Sequence, residues 1–166
     1  MDSIVQLIAD SLTGILPPYV IVAIISMIPV LELRGSILVA LPILHTKVLL
    51  TYIVAVIANM IPIPFIILFI DKIFDFLKRF KTSGRLVRKL EEKTLAKSDQ
   101  INKYGIWGLF LFVAIPLPGT GAWTGALLSV LLGIKPKKAL AAIFAGVATA
   151  GIIMSVLGYG LGMFTA

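Results

Sequence analysis

Glu32 and Arg34 stand two residues apart inside an otherwise apolar stretch, Ser26-Met27-Ile28-Pro29-Val30-Leu31-Glu32-Leu33-Arg34-Gly35. Within hydrocarbon each such charge costs at least ~2.5–3.5 kcal/mol, so a working role is the first reading. The planar fork of Arg34 suits a phosphate or carboxylate. Glu32 suits a proton or Na⁺ whose release is coupled to movement. The plainer reading is an ion pair that stabilises the local fold. In an extended segment residues two apart project to the same side, so the pair is expected to act together.

A second polar break lies 87 positions further on, from Pro29 to Pro116, in Ala114-Ile115-Pro116-Leu117-Pro118-Gly119-Thr120-Gly121-Ala122-Trp123-Thr124. Gly119 and Gly121 permit positive φ and expose backbone N–H groups. With Thr120, Thr124 and the start of a following helix, those groups form a candidate anion site. Trp123 is placed to stack on a lipid or drug, or simply to pack. The plainer reading is a tight turn. The segment lacks the Gly-Lys-Ser/Thr ending of a nucleotide phosphate loop. Asn59, in the middle of another apolar run, either lines the same site, caps a tip or packs. Pro29, Gly35, Pro116 and Pro118 are read as tip-shaping residues.

Other chemistry is poorly supplied. The chain has no Cys and a single His45, for which a surface role is expected. No nucleophile elbow, metal cluster or paired carboxylates for hydrolysis are evident, so neither catalysis nor a cofactor is expected.

These residues need elements to carry them, and composition says in what solvent. The 166 residues are 59% hydrophobic, with a mean hydropathy of +1.06, against ~45–50% apolar for soluble domains. The solvent is therefore read as lipid. Ten of the fifteen Lys and Arg fall between Lys72 and Lys103, and three more in Lys135-Pro136-Lys137-Lys138. The positive-inside rule explains them better than nucleic-acid binding, for which no aromatic-rich module is present.

The reading is an all-α integral membrane protein in one membrane domain, residues 1–166. Residues 1–16 carry helical apolar periodicity ended by Pro17-Pro18, an interfacial helix. Residues 17–46 are too few for two spans of ~20 residues each, and one span would put Glu32 and Arg34 deep in lipid. Two half-helices of roughly 13 residues reach ~20 Å and return, which makes a re-entrant hairpin. Residues 47–70 form a full span in which Pro62 and Pro64 remove backbone donors. Residues 71–104 form a basic, partly helical cytoplasmic region. Residues 105–134 repeat the hairpin and residues 135–166 the span, with small residues at Ala142, Gly146, Ala150, Gly151, Ser155, Gly158 and Gly162 for close packing. Lys47 and Lys135, 88 positions apart, precede the two spans. One span between two hairpins makes the repeats oppositely oriented, an inverted-repeat transporter plan.

The Ile28-Pro29 segment with Glu32-Leu33-Arg34-Gly35, the Ala114–Leu127 segment and the terminal Leu157-Gly158-Tyr159-Gly160-Leu161-Gly162 resemble the small multidrug export protein family, within the DedA/VTT superfamily. The resemblance covers nearly the whole chain. It implies a fold of inverted hairpin-plus-span repeats and, for DedA relatives, recycling of polyprenyl-phosphate carriers or lipid scrambling, often linked to the proton motive force. DedA-like proteins carry an Arg before the Pro-Gly turn of the second hairpin. Here Ala114-Ile115 precede Pro116, which leaves more of any headgroup binding to Arg34.

The expectation is a flippase of an anionic amphipathic lipid in a prokaryotic cytoplasmic membrane, coupled to H⁺ or Na⁺. Its site would combine Glu32, Arg34, Asn59, Thr120, Trp123 and Thr124, and two opposed tips would open in turn. The rivals are an exporter of small hydrophobic cations with Glu32 as counter-ion, and a membrane assembly scaffold whose basic region, with Arg85, Arg88 and Lys89, docks anionic lipid or a partner. Membrane lipid is the expected partner, nucleic acid is not, and a homodimer through a Gly158/Gly162 face is expected.

Overall fold

A computed structural model describes residues 15–40, 43–78, 103–117 and 119–165, with 88–89, 92 and 95. For residues 71, 73–78 and 159–165 it describes the backbone alone. The expected interfacial helix, most of the basic region and Pro118 lie outside the described residues. Among the described residues the elements are all helices: α1 (Pro18–Met27), α2 (Glu32–Ala40), α3 (Val48–Met60), α4 (Pro62–Lys78), α5 (Ile106–Ala114), α6 (Ala122–Leu131) and α7 (Pro136–Thr165).

Proline sets the helix ends. Pro18 opens α1, where its missing N–H and preset φ are harmless. At the far end Ile28 turns extended, φ −74° and ψ 128°. Ile115 does the same after α5, φ −80° and ψ 119°. Both precede a proline, whose ring clashes with a helical residue before it. Ile61 also precedes a proline, yet keeps helical dihedrals of −57° and −49°. Its N–H reaches the Ala58 carbonyl at 3.2 Å, a tighter i→i−3 bond. Val48–Ile70 therefore continues as one 23-residue apolar span, and Pro136–Gly158 is a second of equal length. Each is ~35 Å long, enough for a ~30 Å hydrocarbon core. Leu49, Ile53, Ile57 and Ile61 form an exposed apolar stripe at i+4 spacing on the first, and Ile152 and Val156 are exposed on the second. Such stripes are a liability in water and a fitting surface in lipid.

The chain divides into two compact units, residues 1–61 with 147–166 and residues 62–146. Both boundaries fall inside the long apolar spans.

In the first unit α1 and α2 fold back on each other and both pack on α3. Ile21, Ile25, Leu31 and Val39 form the core, with Leu16, Ile28, Ile43 and Leu44 around them. Hydrogen bonds tie the base of this hairpin to the start of α3. The Lys47 N–H donates to the Tyr19 hydroxyl at 3.3 Å. The Thr46 hydroxyl donates to the Ala40 carbonyl at 2.9 Å, and the Thr51 hydroxyl to Thr46 Oγ1 at 2.7 Å. Tyr52 donates to the Ala148 carbonyl at 3.2 Å, with its ring against Gly151.

In the second unit α6 packs on α4 and α5. Val113 of α5 sits between two glycines. A Cβ on Gly125 would lie 2.7 Å from Val113 Cγ2, and one on Gly146 would lie 2.7 Å from Val113 Cβ and 3.0 Å from the Phe110 carbonyl oxygen. The small residues at helical spacing on α7 thus allow close approach inside this unit at Gly146 and inside the first at Gly151. Gly158 is buried as well.

The different obstacles at the two glycines predict different rescues. Gly125→Ala and Gly146→Ala should each destabilise by about 1–3 kcal/mol, read as the thermal midpoint in detergent. Against a Val113→Ala background Gly125→Ala should lose most of its effect, because only Cγ2 was in the way. Gly146→Ala should keep its effect, because Val113 Cβ and the Phe110 backbone remain.

Candidate functional site

The first tip is a turn over residues 28–31. The N–H groups of Leu31 and Glu32 donate to the Ile28 carbonyl at 3.2 and 2.9 Å, and Gly35 N–H donates to the Leu31 carbonyl at 2.9 Å. Helical hydrogen bonding is therefore under way before the charges are reached. The extended tip expected from the sequence is not found: Glu32 and Arg34 occupy the first turn of α2. Glu32 is 5% exposed, whereas Arg34 is half-buried. The two still attract electrostatically, and a carboxylate in the first turn suits the helix dipole.

Glu32 has φ +51°, a left-handed conformation that costs a non-glycine residue roughly 1–2 kcal/mol. A buried carboxylate at a strained position is a poor choice for stability alone and a common one for a working site.

Just below the tip, Ser26 and Ser36 join the two arms, hydroxyl to hydroxyl at 2.7 Å. Ser26 Oγ is also 2.7 Å from the Val22 carbonyl, and Ser36 Oγ 3.0 Å from the Leu33 carbonyl. Two hydroxyl protons serve three contacts, and both side chains are fully buried. The sequence reading did not single out this pair. The available signal was one serine on each apolar arm, ten positions apart across a proline turn.

Asn59 lies in the last turn of α3, in the same unit, with 0% exposure. Neither its amide oxygen nor its amide nitrogen has a hydrogen-bond partner among the described residues. His45, at φ +46°, is exposed in the linker before α3, as a surface role implies.

The second tip belongs to the second unit and is mostly backbone. Gly119 has φ +76° and Gly121 φ +143°, the conformations read from the sequence. Leu117 N–H donates to the Ile115 carbonyl at 2.8 Å, and Thr120 N–H to the Leu117 carbonyl at 3.2 Å. The Thr120 hydroxyl lies 3.0 Å from the Ile115 carbonyl and 2.9 Å from that of Leu117. Its proton is committed to closing the turn, and an anion would have to displace it. Gly125 N–H donates to the Gly121 carbonyl at 2.8 Å as α6 begins. Pro116, Trp123 and Thr124 are half-buried, and Ile115 and Leu117 are exposed. Of the basic region, Arg88 and Lys89 are exposed, and Lys103 Nζ lies 5.2 Å from the Tyr104 ring centroid.

Residues 32–153 match the model of a family described as "Putative small multi-drug export protein". The match begins at Glu32 and takes in Arg34, Asn59 and the 116–124 turn. No curated protein and no solved structure matches the chain.

The strain at Glu32 is separable from its charge. Glu32→Asn and Glu32→Val both remove the carboxylate, but Asn tolerates left-handed φ and a β-branched residue does not. Glu32→Val should unfold at a lower temperature than Glu32→Asn, by the equivalent of about 1–2 kcal/mol. Equal midpoints would show that the backbone there is free to relax.

Proposed function

The chain belongs to the small multi-drug export protein family, whose members are membrane export proteins, and from that premise we propose a carrier for an anionic amphipathic lipid such as a polyprenyl phosphate. The observation that carries the proposal is the first tip. There a buried glutamate held at an unfavourable φ neighbours a half-buried arginine, between arms too short to cross a bilayer. Arms of nine or ten residues reach ~15 Å, about half the hydrocarbon core.

On this reading both hairpins are re-entrant and oppositely oriented, with residues 71–104 on the cytoplasmic side. Three features support that plan: an Ile-Pro helix end in each unit, a Lys-bearing linker after each hairpin, and a 23-residue span after each linker. Arg34 then receives the headgroup, since its fork matches phosphate oxygens. Glu32 is its internal counter-ion and exchanges Arg34 for a coupling ion. The lipid chains lie along the exposed apolar stripes. A homodimer is part of the proposal.

A second reading has Glu32 as the counter-ion of a small hydrophobic cation. Its greater burial relative to Arg34 favours this, as does the family's export description.

Lipid flipping in proteoliposomes tests the first reading. Arg34→Ala and Glu32→Gln should each lower the rate at least about tenfold, the effect of losing ~1.4 kcal/mol or more of headgroup or ion interaction. Unchanged rates in both would remove the lipid reading. Resistance to hydrophobic cations that survives Arg34→Ala but not Glu32→Gln would select the second.

A further inference from the structure

Asn59 stands at the midpoint of Val48–Ile70, with no exposed area and both polar ends of its amide unpartnered among the described residues. Each unmet group costs about 1–3 kcal/mol in a dry interior. A leucine of similar size would fill the position without that cost, so packing alone does not account for the residue. The main chain beside it is short of donors too. Pro62 and Pro64 lack the N–H groups that would reach the carbonyls of Ala58 and Met60. Ile61 takes up the Ala58 carbonyl, which leaves the Met60 oxygen without its i+4 donor.

The hydrogen bonds of the first unit set the level of this spot. Lys47 N–H on the Tyr19 hydroxyl puts the start of α3 beside the base of α1. Asn59 is twelve residues from Lys47, ~18 Å along the axis. Ser26 is seven residues above Tyr19, ~10 Å, and its bond to Ser36 sets the register of α2. Glu32 lies one helical turn beyond Ser36, ~6 Å further. By this count Glu32 and Asn59 fall in one layer of the unit, ~16 and ~18 Å above its base, and both are buried.

We propose that this layer is a binding site for a dehydrated monovalent cation of the size of Na⁺, with the Glu32 carboxylate, the Asn59 amide oxygen and the Met60 carbonyl as ligands. The set is all oxygen, which suits a hard cation, and a single carboxylate balances a single positive charge. The Asn59 amide N–H₂ is left to donate to the second carboxylate oxygen, so occupancy meets both ends of the amide. Arg34 and the cation compete for the same carboxylate. Filling the site releases the guanidinium, which can then hold an anionic headgroup. This last step rests on the lipid-carrier reading; the cation site does not.

The test is the thermal midpoint of the purified protein in detergent, at fixed pH and ionic strength, as NaCl replaces choline chloride. The parent protein should gain at least about 3 °C at saturating Na⁺. Asn59→Leu should be no less stable than the parent in choline and should lose the Na⁺ shift. Glu32→Gln should lose it too. Arg34→Gln should keep the shift, at equal or lower Na⁺ concentration, because the competitor is gone. No Na⁺ shift in the parent protein would overturn the site. So would an undiminished shift in Asn59→Leu, or a response to pH alone. Flipping by Arg34→Gln measured alongside separates the two ideas: full activity with an intact Na⁺ shift removes the headgroup role of Arg34 and leaves the cation site standing.

Discussion

A proline cannot follow a helical residue without a clash, and that restriction at Ile28 and Ile115 shapes both units. It stops α1 at ten residues and α5 at nine. Arms of that length are half as long as a bilayer core is thick. In each unit the chain turns back on itself, and each turn leaves non-helical backbone groups to be satisfied. The tips resolve this internally. Ile28 accepts from two N–H groups at the first, and the Thr120 hydroxyl meets two carbonyls at the second.

The two tips resolve it at different energetic levels. The second is self-contained: glycines take the positive φ values and the threonine closes the loop. The first puts a glutamate in a conformation suited to glycine and buries it, with Arg34 nearby. Strain and burial there act against stability, while the Ser26–Ser36 contact and the apolar cluster around Ile21 and Ile25 hold the hairpin together below it. That division places the hydrogen-bonded, apolar packing in the arms and the buried charge at the tip. Asn59 adds a second tension in the same unit, because its buried amide has no hydrogen-bond partner among the described residues.

The sequence was legible where a local steric or solvation rule acts alone. The Ile-Pro breaks, the positive φ of Gly119 and Gly121, the two spans and the close-packing glycines of α7 all follow from such rules. The candidate site is visible in the sequence as a set of residue types, since Glu32, Arg34 and Asn59 are conspicuous among apolar neighbours. It was not legible as geometry. The sequence pattern reads as an extended tip, whereas a helix starts at Glu32, whose own φ is +51°. Ser26 and Ser36 look unremarkable in the chain because their importance lies in meeting ten positions apart.

By itself the sequence determined the strongly apolar character of the chain, the two long apolar helices found among the described residues and where the apolar arms stop. Each depends on composition or on a clash between adjacent residues. Tertiary structure decided which Ile-Pro pair breaks a helix and which does not. Ile61-Pro62 carries the same clash as Ile28-Pro29, yet Ile61 stays helical, with its N–H on the Ala58 carbonyl, one residue nearer than the regular acceptor Ile57. The choice depends on what the neighbouring helices leave room for and on which carbonyls can be left without a donor. Those quantities belong to the packed unit, and the same holds for the Asn59 amide, unpartnered among the described residues.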